Sequence, residues 1–141
     1  MTTDQRHLDF LAGSHQGVLV TLKKDGRPQL SNIAYYLTAE QRVHISVTAD
    51  RVKTRNVQRD PRVAMHVTSK DFWSYVVAEG DAELMPVTTD PHDPTADALV
   101  EYYRAVSGEH PDWEDYRAAM VKDRRQILSF AVTHAYGQLP G

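Results

Sequence analysis

The chain contains no cysteine, and that absence removes disulfides, thiolate metal sites, iron–sulfur clusters and cysteine nucleophiles together. No apolar run approaches the roughly 20 residues that a helix needs to cross a bilayer, so no membrane partner is expected. The opening Met-Thr-Thr-Asp-Gln-Arg-His lacks the basic-then-apolar order of a secretory signal, and a cytoplasmic protein is expected. Positive charge is not in excess either: 16 Lys and Arg stand against 19 Asp and Glu, a net charge of -3. A general nucleic-acid binder would be strongly basic, so none is expected here and any cationic site must be local. Also missing are the Gly-x-Ser-x-Gly elbow, the Walker loop and the Gly-x-Gly-x-x-Gly fingerprint, which leaves hydrolase and Rossmann readings without support. There are seven histidines, but none falls in a His-Glu-x-x-His spacing, and no metal is expected.

The 141 residues suit a single domain spanning 1–141 with one core. Short alternating runs dominate its first half. Val18, Val20 and Leu22 alternate with Leu19, Thr21 and Lys23; Asp25-Gly26 supplies a turn, and residues 29–37 run back as the second arm of a hairpin. Val43, Ile45 and Val47, then Val63, Met65 and Val67, give two further strands with one core face each. Residues 73–79 and 81–85 continue the series, with Gly80 marking a bend or bulge. A Pro- and Asp-rich loop over 86–94 separates these strands from two amphipathic helices. The first carries Ala96, Leu99, Val100, Tyr103 and Val106, and the second starts near Pro111-Asp112. Residues 126–132 return to strand, and an N-terminal helix over 4–12 turns Leu8 and Leu11 inward. The expected fold is mainly β with peripheral helices: a barrel of six or seven antiparallel strands.

One segment concentrates chemistry. Arg51, Lys53, Thr54 and Arg55 fall together between a strand and a short helix, and Asp50 is a natural N-cap, so backbone N–H groups and the helix dipole would add to the side-chain charges. The segment reads either as a phosphate grip or as a solvated basic face. The carboxylates Glu101, Glu109, Asp112, Glu114 and Asp115 lie on the helices, where they keep an outer face wet and cap helix starts.

Residues 25–32 (Asp-Gly-Arg-Pro-Gln-Leu-Ser-Asn), Lys53-Thr54-Arg55-Asn56 followed by Asp60-Pro61-Arg62, Trp73-Ser74-Tyr75 with Ala78-Glu79-Gly80, and the stretch from Asp112-Trp113 to Met120 stand in an order that resembles a known family. The chain resembles the pyridoxamine 5′-phosphate oxidase-like split β-barrel flavoproteins that bind flavin mononucleotide (FMN). Within them it is similar to the actinobacterial group that uses the deazaflavin coenzyme F-420 (8-hydroxy-5-deazaflavin) instead. The resemblance implies an FMN-binding split barrel and a homodimer with each cofactor at the subunit interface. By position it places Pro28 and Gln29 beside the ring edge, Ser46 and Thr48 as hydroxyl donors, and Arg51, Lys53 and Thr54 on the phosphate. Trp73, Ser74 and Tyr75 would reach the cofactor across the dimer, and His134 matches a histidine near the end of the last strand. Taken singly, each has a quieter role: Pro28 shaping the hairpin, Ser46 and Thr48 on a wet strand face, Trp73 and Tyr75 as core or interface aromatics, His134 as a structural histidine.

The implied activity is an F-420-dependent oxidoreductase passing a hydride to a small conjugated or aromatic molecule. The alternatives are an FMN-binding oxidoreductase of the same fold, or a non-catalytic carrier or sensor of either cofactor. The family's vitamin B6 oxidases carry further C-terminal residues beyond the point where this chain reaches Gly141, so a true pyridoxamine phosphate oxidase is not expected. No dedicated proton donor is identified; solvent or Tyr75 would have to serve.

Overall fold

The structure is a computed structural model, and it describes residues 3–141. Helix α1 (Gln5–Ala12) starts where the Asp4 carboxylate accepts the Arg6 amide, and it buries Leu8 and Leu11. The strands are β1 (Gln16–Leu22), β2 (Pro28–Ala34), the two-residue β3 (Tyr36–Leu37), β4 (Arg42–Thr48), β5 (Arg62–Thr68), β6 (Tyr75–Leu84), β7 (Arg125–Ala131) and β8 (His134–Gln138). Helix α2 (Val52–Arg59) joins β4 to β5, and α3 (Pro94–Ser107) and α4 (Trp113–Lys122) lie between β6 and β7.

The strands form one curled antiparallel sheet in the order β2-β1-β5-β6-β7-β4-β3, with β8 also on β6. The split lies on β6. One edge of β6 pairs with β5 over residues 75–81, whereas the other is divided: residues 75–79 take β8 and residues 82–84 take β7. Gly80 stands at the division. A Cβ there would lie 2.2 Å from the Ala131 carbonyl oxygen and 2.8 Å from the Phe130 ring, so the close crossing of β6 and β7 requires glycine. The strand runs through this point as one element. Trp73 and Ser74 precede it, in the β5–β6 connection.

Core residues follow the period-2 pattern. Val43, Ile45, Val47, Val63, Met65 and Val67 are all buried, each contributing ~1.5–3 kcal/mol through the surface it removes from water. In β1 the inward residues are Leu19 and Thr21, and the more apolar set, Val18 and Val20, faces outward. A second cluster of Leu99, Val100, Tyr116 and Ile127 packs α3 and α4 against β7. Helix α4 begins near Asp112 as expected, with Asp112 accepting the Asp115 amide, and Asp93 caps α3 by accepting the Ala96 amide. Burial pushes the Tyr116 hydroxyl up to about 12, and that hydroxyl donates to the Leu99 carbonyl at 2.8 Å. Among the described residues no helix is long and apolar enough to cross a membrane.

Candidate functional site

The chain leaves β4 at Thr48 and turns sharply into α2. The Thr48 carbonyl accepts both the Arg51 amide (3.3 Å) and the Thr54 hydroxyl (2.8 Å). Thr54 is fully buried, and its hydroxyl closes the turn that presents Arg51 and Lys53. The N-cap is Arg51 rather than Asp50, and no side chain caps the helix. The turn puts Asp50 one residue too early, before the backbone reaches the extended N-cap conformation. The Val52, Lys53 and Thr54 amides consequently find no acceptor among the described residues.

A third cation joins from a distant part of the chain. In the β4–β7 ladder Thr48 pairs with Arg125 and Ser46 with Ile127, which sets Arg125 beside the α2 entry. Its Nη1 lies 3.4 Å from Ser46 Oγ, and its Nε is buried without a hydrogen-bond partner. Burial, then Arg51 and Arg125, lower the Lys53 pKa. No carboxylate pairs with Arg51, Lys53 or Arg125 among the described residues; the ion pairs there are formed by other cations. Three like charges, an orphaned guanidinium N–H and an open helix start form an anion cradle that fits a phosphate. Arg125 carries no local sequence signal beyond following Arg124, because its place depends on pairing with a strand some eighty residues earlier.

The other candidate residues lie elsewhere. Pro28 and Gln29 open β2, with Gln29 opposite the buried Thr21 of β1. Ser74 is buried and its amide donates to Ser69 Oγ, while Trp73 is 73% exposed. Tyr75 stacks on His66, ring centroids 5.2 Å apart at 20°. His134 opens β8 opposite Glu79, exposed and 5.9 Å from the Tyr136 ring. Within the chain, therefore, Ser46, Thr48, Arg51 and Lys53 gather around the α2 entry, and Trp73, Ser74, Tyr75 and His134 gather around β6 and β8. Strands β4 and β5 do not pair, so His44 and His66 are not neighbours, and among the described residues no group of His, Cys, Asp and Glu is arranged to hold a metal ion.

Two clefts open on the outward face of the β2-β1-β5-β6-β8 part of the sheet. The larger, about 560 Å³, lies over β1 and β2 and is walled by Gln16, Val18, Asn32, Ala34, His66 and Thr68. A smaller one of about 240 Å³ lies between His66, Thr68, Tyr75, Gln138 and the aromatic pair Phe72 and Trp73. They share His66 and Thr68. Neither is lined by the cation group. On the same face Leu30 (58% exposed) stands beside Val20, and Tyr136 (46% exposed) beside Val77.

The fold is shared with solved structures. A conserved hypothetical protein of Mycobacterium tuberculosis aligns over 100% of this chain and 91% of its own at 21% identity, with a TM-score of 0.74. An F-420 reductase aligns over 91% and 94% at 24% identity, TM-score 0.68. A heme binding protein of Mycobacterium smegmatis aligns over 97% of this chain but 55% of its own at 17% identity, TM-score 0.67. At these identities the likeness is one of fold. The sequence model described as pyridoxamine 5′-phosphate oxidase, in contrast, matches residues 3–139, nearly the whole chain, and the protein belongs to that family.

Proposed function

We propose that this protein is a homodimeric F-420-dependent reductase of a small conjugated or aromatic compound. The observation that carries the reading is the anion cradle: Arg51, Lys53 and Arg125 converge on an uncapped helix start with no carboxylate paired to them among the described residues. In this reading Arg51, Lys53, Arg125 and the first amides of α2 hold the cofactor's phosphate, and Ser46, held near Arg125, lies beside the tail. Thr54 acts through the turn it closes. Pro28 and Gln29 lie at the ring edge. When bound, the reduced deazaflavin supplies two electrons as a hydride and reacts poorly with oxygen. The protein's own task is to hold the reacting atoms about 3–3.5 Å apart and to exclude water.

The second protomer covers the outward sheet face. Leu30 and Tyr136 are exposed there beside the half-buried Val18 and Val20, and a face of this kind calls for a partner surface. The partner then brings Trp73, Tyr75 and His134 to the ring end of a cofactor whose phosphate the first protomer grips. Preference for F-420 over FMN is supported by the family motifs and by the likeness to an F-420 reductase.

Equilibrium binding of the purified apo protein to oxidised F-420 and to FMN at one stated salt concentration tests the reading. Micromolar or tighter F-420 binding with much weaker FMN binding is expected. The reverse preference moves the protein to the FMN branch, and binding of neither makes Arg51 and Lys53 an ordinary basic surface. With F-420 bound and reduced, enones, quinones and nitroaromatics should be reduced faster than by free cofactor; equal rates would make the protein a carrier. Light scattering should give twice the chain mass.

A further inference from the structure

The barrel has a second seam, on the edge of β4 that carries the cradle. Strand β3 pairs with β4 only where Tyr36 faces His44 and Leu37 faces Val43. Two residues further along Ala34 would face Ser46, yet no pair forms there: the chain belongs to β1 instead, and the Tyr35 amide donates to the His15 carbonyl. Antiparallel partners exchange hydrogen bonds at every second residue. The Ala49 amide donates to the Arg124 carbonyl, in register with the pairing of Thr48 and Arg125, so the odd-numbered residues of β4 bond toward β7 and the even-numbered ones face the opposite edge. Along that edge Arg42 accepts the Thr38 amide, His44 has Tyr36 opposite, and the Thr48 carbonyl accepts Arg51 and Thr54. Between them Ser46 has no strand opposite.

Tyr102 of α3 enters this gap. Its hydroxyl donates to the Ala34 carbonyl at 2.8 Å, the acceptor that a continuing ladder would offer to the Ser46 amide. Its ring lies 6.4 Å from that of Tyr36, and it packs on the cluster that holds Ile127, the residue opposite Ser46 on β7. Burial raises the Tyr102 pKa, while the Ser46 amide and the Arg125 charge act the other way, so both lie near its oxygen. A hydroxyl donates and accepts at once, and this one stands between a free carbonyl and a free amide. The consequence reaches the cradle, because Ser46 Oγ, at 3.4 Å, is the hydrogen-bond partner of the Arg125 guanidinium among the described residues.

We infer that Tyr102 is a positioning residue of the anion cradle: its hydroxyl takes the place of the missing rung between Ala34 and Ser46 and thereby fixes the contact of Ser46 with Arg125. It acts through Arg125, and it makes α3, a helix outside the barrel, part of the anion site. The inference rests on the cradle reading given above, and not on which cofactor fills the cradle.

Calorimetric titrations of the full-length protein with F-420 and, separately, with inorganic pyrophosphate test this. Tyr102→Phe keeps the ring and deletes the hydroxyl, and it should weaken both ligands about fivefold, the scale of one net hydrogen bond. In an Arg125→Gln background the same change should cost nothing further, because the group it positions is gone. Equal losses in the two backgrounds would mark a merely structural hydroxyl and overturn the assignment, as would no loss in the parent. The Arg125 Nε–H resonance supplies a spectroscopic readout: it should shift in apo Tyr102→Phe, and an unmoved signal contradicts the inference. Urea midpoints verify folding. Should the variant fail to fold, amide exchange in the parent decides, since Ser46 should be as protected as Ile45 and Val47, and exchange at the rate of an open edge would remove the rung. Pyrophosphate binding that follows this pattern while F-420 is not bound keeps Tyr102 in its role and removes the cofactor reading; a parent that binds neither anion removes both.

Discussion

Asn56 of α2 donates its buried side-chain amide to Thr21 Oγ1 of β1 at 3.0 Å, both residues being almost wholly inaccessible to water. This polar pair inside the core fixes the helix that carries the cations to the sheet. Arg59 reinforces it, donating to the Leu22 carbonyl at 2.6 Å and to Asn56 Oδ1 at 3.0 Å. In Asn56→Ala the Thr21 hydroxyl loses its partner, and a buried unsatisfied group costs about 1–3 kcal/mol. The urea midpoint should fall by the equivalent of that amount with the slope unchanged. Stability equal to the parent's would mean that the pair does not anchor α2.

Lys53 supplies a test in which stability and binding move in opposite directions. Its folded-state pKa is lowered by burial and then by Arg51 and Arg125. Below both the folded and unfolded values the unfolded chain binds the proton more tightly, so the charge opposes folding at neutral pH. That opposition fades as pH rises through the lowered value. Lys53→Met should therefore raise the melting temperature of the apo protein at pH 7. It should also weaken F-420 binding by on the order of 1–3 kcal/mol, the range of a charge-assisted hydrogen bond. Thermal melts and titrations of the same variant measure both. A drop in apo stability would remove Lys53 from a self-repelling cradle.

Gly80 sits where two strands claim one edge of β6. A methyl group placed there meets the Ala131 backbone oxygen rather than a movable side chain, so the crossing of β6 over β7 would have to open. Gly80→Ala should destabilise by roughly 1–3 kcal/mol or more, as overpacking of a tight interior does. Gly13→Ala is the contrast, because its added carbon would meet only ordinary contacts at 3.6 Å; denaturant midpoints of the pair compare them.

The strands β4 and β5 were legible because Val43, Ile45, Val47 and Val63, Met65, Val67 alternate with more polar neighbours, and the buried set is the apolar one. Strand β1 was not. Its more apolar residues, Val18 and Val20, face out, since the outer face is itself apolar and period 2 alone cannot distinguish two apolar faces. Of the aspartates read as caps, Asp112 caps its helix, while the turn closed by Thr54 displaces Asp50; Asp4 and Asp93 cap α1 and α3 without having been singled out. The cradle's local half, Arg51 and Lys53, lay open in the sequence. Arg125 did not, because it acquires its role from strand register, through its pairing with Thr48.

The β5–β6 loop should loosen in acid. The Ser69 hydroxyl and then the Trp73 amide hold the Asp71 carboxyl below its ordinary value of 3.8. A carboxylate with a depressed folded-state pKa contributes order that is complete above the unfolded value and is lost as pH falls through the folded one. The window therefore lies below about pH 4. Protonation weakens Asp71 as the acceptor of the Trp73 amide, and the loop that holds Phe72 at positive φ can then relax toward an unstrained backbone. In an NMR titration the Trp73 amide should shift with a midpoint below 3.8, and Asp71→Ala should show the acid-form position at every pH. A midpoint at or above the ordinary value would mean that Asp71 does not brace the loop.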